Sequence, residues 1–129
     1  MSEKVERSRI HFDHLAVPAL DASSSALELA ELLDVSVFRD GPGDEFSCVP
    51  LAGGAQLMFT PSSDISPIHL ALKVEERIFS RAIGMLKSRN ARFGNDPEHP
   101  DNGEVKDPLG GRGRVYFYTR DGHLFELCF

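Results

Sequence analysis

The chain has 129 residues, 41% of them apolar, and its 14 basic against 20 acidic side chains give a net charge of −6. That is the length of one domain with a core of its own, and the acidic balance argues against general affinity for nucleic acid or an anionic membrane surface. No apolar run reaches bilayer length and the charged first nine residues carry no apolar leader segment, so no membrane partner and a cytoplasmic location are expected.

Residues 1–8 read as a solvated lead-in to one domain spanning 9–129. Residues 10–17 alternate as a strand with Ile10, Phe12, His14 and Ala16 on one face, and Pro18 is expected to end it. Asp21 can cap a helix whose apolar stripe is Ala26, Leu27, Leu29, Ala30 and Leu33, closing near Asp34. Three short strands follow at 35–39, 46–51 and 55–60, separated by turns rich in Asp, Gly and Pro.

After Pro61 and a polar run the order begins again. Residues 68–74 read as a strand, and Glu75 and Glu76 open a helix with the stripe Ile78, Phe79, Ala82, Ile83 and Leu86. Residues 95–112 are polar, rich in Pro and Gly, and too long for a plain hairpin, which makes them a candidate binding loop or lid. Strands at 114–119 and 121–129 close the chain around Asp121 and Gly122. Cys48 and Cys128 stand far apart without a CxxC pairing and read as reduced, small core residues.

Two modules, about 9–61 and about 67–129, are therefore expected to repeat one order of strand, helix and three strands. His14 and His69 occupy equivalent places, inside His-Leu-Ala-Val and His-Leu-Ala-Leu, and Gly54 precedes Met58 as Gly122 precedes Glu126. In the last strand Leu124, Glu126 and Cys128 share one face and Phe125, Leu127 and Phe129 the other. Glu126 is thus a carboxylate among apolar neighbours. It needs a cation, either a basic side chain such as Arg112, Arg114 or Lys73, or a metal. A duplicated fold with an approximate two-fold axis lets His14, His69 and Glu126 converge.

The runs Phe12-Asp13-His14-Leu15-Ala16-Val17, Ile68-His69-Leu70-Ala71-Leu72 and Asp121-Gly122-His123-Leu124-Phe125-Glu126-Leu127 resemble those of the vicinal oxygen chelate superfamily. That superfamily includes glyoxalase I, extradiol dioxygenases, fosfomycin-resistance enzymes and bleomycin-resistance proteins. The resemblance covers residues 10–129. It implies an α+β fold of two βαβββ modules forming a cupped, open mixed sheet around a divalent metal, in a homodimer whose modules can pair across chains. The family's ligands fall on His14, His69 and Glu126, and its fourth ligand position falls on Met58. Methionine is a poor ligand for a hard ion, and Gln56, two residues away on the same face, substitutes only if the register slips. Two imidazoles and one carboxylate suit Fe, and Mn, Ni or Zn also accept them.

The resemblance also makes Tyr116 a substrate-facing candidate for the catalytic set. His99, in the long loop, is a candidate acid or base. Arg112 and Arg114 can bind an anionic substrate group bidentately. His123 alternates away from Glu126 and is expected at a turn or on the outer face, while His11 is expected to be solvated. The leading reading is a metal-dependent enzyme with lyase, ring-opening or dioxygenase chemistry on a small substrate with adjacent oxygens. The alternative is a metal-free binding protein of the bleomycin-resistance type, although such members commonly lack ligand residues that this chain keeps.

Overall fold

Helix α1 (Ala22–Leu33) begins where Asp21 stops an extended segment and accepts the Ser24 amide at 3.0 Å. It ends at Asp34, in the left-handed region at φ 60°. Its inner face buries Ala22, Ala26, Leu29, Ala30, Leu32 and Leu33. Leu27, expected in that stripe, is 53% exposed, because one residue beyond Ala26 is turned about 100° away and Leu32 takes the place instead. The structure, a computed structural model, describes residues 9–129; the lead-in expected over 1–8 lies outside them.

Around α1 fold β1 (His14–Ala19), β2 (Phe38–Asp40), β3 (Phe46–Pro50) and β4 (Gln56–Pro61), in the sheet order β1-β4-β3-β2. β1 runs parallel to β4, and the other pairings are antiparallel. Pro18 does not end β1 but lies inside it, at a sheet edge where a missing N–H is tolerated. One sheet face lays Val17, Val49, Leu57 and Phe59 under the helix, all within 1% of full burial. Each fully buried side chain of that size contributes roughly 1.5–3 kcal/mol relative to exposure.

The second half repeats the plan with β5 (His69–Lys73), α2 (Glu76–Ser88), β6 (Arg114–Tyr118) and β7 (Leu124–Cys128), in the order β5-β7-β6. Here α2 buries Phe79, Ala82 and Leu86, on the side of the sheet core of Val115, Phe117, Phe125 and Leu127. Only two strands follow α2, not the three expected. The intervening segment runs along the free edge of β6: Gly94 and Tyr116 exchange backbone bonds of 3.1 and 2.6 Å, and the Arg114 amide donates to Val105 at 2.9 Å. Pro97, Pro100 and Pro108 interrupt what would otherwise be a fourth strand.

No β-ladder joins the two sheets among the described residues, yet their apolar side chains form one core. Outside it, Arg77 meets Asp34 at 3.1 Å and Arg89 meets Glu31 at 2.8 Å across the two helices. Such exposed pairs are worth under about 1 kcal/mol each. Inside, His123 is fully buried. The Ile68 amide donates to its Nδ1 at 3.1 Å, so Nε2 carries the proton and donates to the Pro18 carbonyl at 2.8 Å. Nearby, Asp121 accepts the Leu20 amide and the Ser25 hydroxyl. His123 is thus not on the outer face: it shares the alternation of Phe125 and Leu127, which is the core side, and it ties β1 to the second module. No helix among the described residues is long and apolar enough to cross a membrane.

Candidate functional site

The two parallel ladders repeat one register. His14 pairs with Gln56 and Ala16 with Met58; in the second half His69 pairs with Leu124 and Ala71 with Glu126. Each histidine therefore stands two residues before the partner of Met58 or Glu126. Because side chains alternate, all four lie on the sheet faces opposite the helices. The equivalence of His14 with His69 and of Met58 with Glu126 is a property of the register as well as of the sequence.

The second face carries a continuous polar chain. His69 Nε2 lies 2.8 Å from Glu126 Oε1, while Arg114 donates to Glu126 Oε2. The same guanidinium grips Asp107 in a fork, with Nε to Oδ1 at 2.9 Å and a terminal nitrogen to Oδ2 at 3.3 Å. Asp107 also accepts the amides of Leu109 at 2.8 Å and Gly111 at 3.1 Å. The Arg114 fork holds the Asp107 carboxyl below its ordinary range, and Asp107 in turn raises the guanidinium further above its own. Glu126 is 7% exposed while the His69 side chain is 51% exposed, so a solvent-facing imidazole is backed by a buried carboxylate. Tyr116, opposite Glu126 in the ladder, is buried with its ring 5.9 Å from that of His69. Burial first, then the Glu126 charge, pushes its phenol above the usual range.

Of the three basic side chains offered to Glu126 by the sequence, Arg114 takes it. Arg112 instead pairs with Glu76 at 3.0 Å and stands 5.2 Å above the Phe129 ring. On the first face His14, about half exposed, shares its Nδ1 with Asp13 at 2.6 Å, which leaves Nε2 open among the described residues. Gln56 is half-buried, and its Oε1 is buried without a protein partner among the described residues. Met58 sits opposite Cys48. His99 lies in a turn of the long loop, in a cavity of about 660 Å³ shared with Arg92, Pro97, Asp101 and Tyr118. A second cavity of about 470 Å³ opens between the modules, lined by Phe12, Leu33, Val35, Leu72 and Ile78. Neither includes His14, His69 or Glu126.

Two donors at right angles, each about 2.0–2.2 Å from one ion, lie about 3 Å apart. The 2.8 Å between His69 Nε2 and Glu126 Oε1 is an ordinary hydrogen-bond length and also falls close to that spacing. The carboxylate of Asp13 beside His14 fixes the orientation of its imidazole, as carboxylates commonly do beside metal-binding histidines. Among the described residues, however, no three His, Cys, Asp or Glu side chains of one chain gather closely enough to hold an ion. One chain supplies His69 and Glu126 as a pair, and His14 stands apart from them on β1.

Asp107 escaped the sequence reading, though Asp-Pro-Leu-Gly-Gly is a turn signature whose leading carboxylate commonly accepts amides just ahead. Nothing local in the sequence ties it to Arg114.

Neither a family model nor a curated protein matches the sequence. Among solved structures, "Oxidase ChaP-H2" superposes with a TM-score of 0.83 at 30% identity, over 93% of each chain. A glyoxalase/dioxygenase from Nostoc punctiforme follows at 0.68 and 18% identity, covering 98% of this chain and 97% of that one. TnmS3, an antibiotic binding protein from Streptomyces sp. CB03234, superposes at 0.63 and 16% identity, over 95% of this chain and 98% of that one. The last two carry the fold alone. With the duplicated modules, the repeated register and a 30% identical relative over nearly its full length, the chain belongs to the vicinal oxygen chelate superfamily.

Proposed function

We propose that the open sheet faces form the site of a metal-dependent enzyme performing oxygen-using chemistry on a small substrate with two adjacent oxygen atoms. The observation that carries the reading is the His69–Glu126 pair at ligand spacing, with Glu126 anchored from behind by Arg114. The name of the 30% identical neighbour, an oxidase, favours the dioxygenase branch over lyase or ring-opening chemistry. His14, whose Nε2 is open, is the third ligand and comes from a second copy of the chain. The resulting homodimer is supported by the edge positions of β1 and β5 and by the exposure of Phe12, 55%, just before β1.

A divalent ion, Fe or alternatively Mn, Ni or Zn, would be held by His69, Glu126 and His14 of a second copy and would supply Lewis-acid chemistry. The chain's own groups do the rest. Arg114 fixes the carboxylate of Glu126, so that Oε1 stays beside His69 Nε2. Tyr116, opposite Glu126 in the ladder with its ring 5.9 Å from that of His69, donates a hydrogen bond from its neutral phenol to a substrate oxygen. Gln56 Oε1, which has no protein donor among the described residues, accepts one from a substrate hydroxyl, and Met58 offers an apolar wall. Arg112 and Arg114 are both committed to carboxylates, so an anionic substrate group is not required.

The test is elemental analysis of protein purified anaerobically without chelators, for wild type and His69→Ala, followed by oxygen uptake with catechols and hydroxy-ketones. About one transition metal per site, lost in the variant, with uptake by the wild type only, supports the reading. No metal in either sample after reconstitution overturns it. The second reading, metal-free ligand binding, then takes its place; it is favoured by the fact that both Glu126 oxygens already have protein partners.

A further inference from the structure

A carboxylate paired with a guanidinium is ordinarily a poor place for a second cation, since the pair is already neutral. Glu126 differs because its Arg114 is shared. Asp107 is 6% exposed, sits in a loop rather than a strand, and takes two of the guanidinium's three nitrogens. One guanidinium against two carboxylates leaves a net negative charge on the group. It is directed at the one oxygen, Glu126 Oε1, that faces His69. The carboxylate of Asp107 is closely packed as well: a Cβ on Gly111 would overlap it.

We infer that Asp107 is a positioning residue that preserves the cation affinity of Glu126, by matching the charge of Arg114 so that Arg114 orients the carboxylate without cancelling it. The inference rests on the metal reading above. It assigns a role to the long loop between α2 and β6: the loop replaces a strand and delivers the counter-charge that a strand at that edge would not.

Calorimetric titration of metal-free protein with Mn(II) tests it, with the unfolding temperature measured alongside. In Asp107→Asn the amide oxygen still accepts from the turn, but the negative charge is gone. Affinity is expected to fall 10–100-fold, the range for loss of an outer partner of a metal site. The double variant Asp107→Asn/Arg114→Gln, which removes the unmatched guanidinium too, is expected to bind more tightly than Asp107→Asn. A purely architectural Asp107 predicts the reverse, a double variant as weak as the single or weaker, and that result overturns the inference. If Asp107→Asn does not fold, the double variant decides alone: affinity within about tenfold of wild type supports the inference, and weaker binding overturns it. Unchanged affinity in a folded Asp107→Asn overturns the inference while leaving the metal site standing. A wild type that binds no Mn(II) overturns both.

Discussion

The two modules share a fold and a register but not a chemistry. On the first face the position beside the histidine's ladder is Met58, flanked by Ala16 and Cys48. On the second it is Glu126, tied to His69, Arg114 and Asp107. The difference has an architectural source. The first module completes its sheet with a short strand, β2, whereas the second puts a proline-interrupted loop along the edge of β6, and that loop carries Asp107. The shared register gives a symmetric frame, and the loop in place of a fourth strand brings Asp107 to one half. A buried carboxylate needs a cation beside it, and in the second half Arg114 supplies one.

Glu126→Gln breaks the asymmetry most completely. It removes the charged donor and leaves Arg114 bound to Asp107 alone, so Mn(II) affinity should fall by more than the 10–100-fold of an outer partner, read by titration calorimetry. Next in size, His123→Ala should cost about 2–4 kcal/mol in a denaturant titration. It opens a cavity and orphans the Pro18 carbonyl and the Ile68 amide. In the other direction, Met58→Glu gives the first face the carboxylate it lacks. If the two faces meet about one ion, Mn(II) should bind about tenfold tighter, since ligand charge tunes affinity; unchanged affinity would mean that the first face stays remote. The smallest effect is in acid. The Asp107 carboxyl titrates below its ordinary value of 3.8, so its contribution is full above that pH and fades as the pH falls through the lowered value. Asp107→Asn should flatten the acid limb of the stability–pH curve and leave the neutral region parallel to wild type.

Much of this was legible in the sequence because the information is local. Alternation in 124–128 separated Glu126 from Phe125 and Leu127, though only the packing shows that the latter pair faces the core, and Asp21 announced the start of α1. The repeated His-Leu-Ala runs gave the equivalence that the register bears out. What was missed depends on contacts between distant segments. His123 obeys the same alternation as Phe125, but only the packing of β1 against the β6–β7 turn makes that position an interior one. Asp107 reads as an ordinary turn residue until Arg114 folds back onto it. The absent third strand of the second half was misjudged because a repeat in the sequence was taken to imply a repeat in every element, whereas three prolines in the segment argued otherwise.

The central claim, that His69 and Glu126 are two ligands of one ion completed by His14, is tested most directly by anomalous diffraction from crystals of the protein soaked in Mn(II). The account predicts a peak about 2.0–2.2 Å from His69 Nε2 and Glu126 Oε1, with Nε2 of a His14 from a second copy as the third ligand and Arg114 still bridging Glu126 to Asp107. A map with no peak there, and with the His69–Glu126 hydrogen bond unbroken, would contradict it.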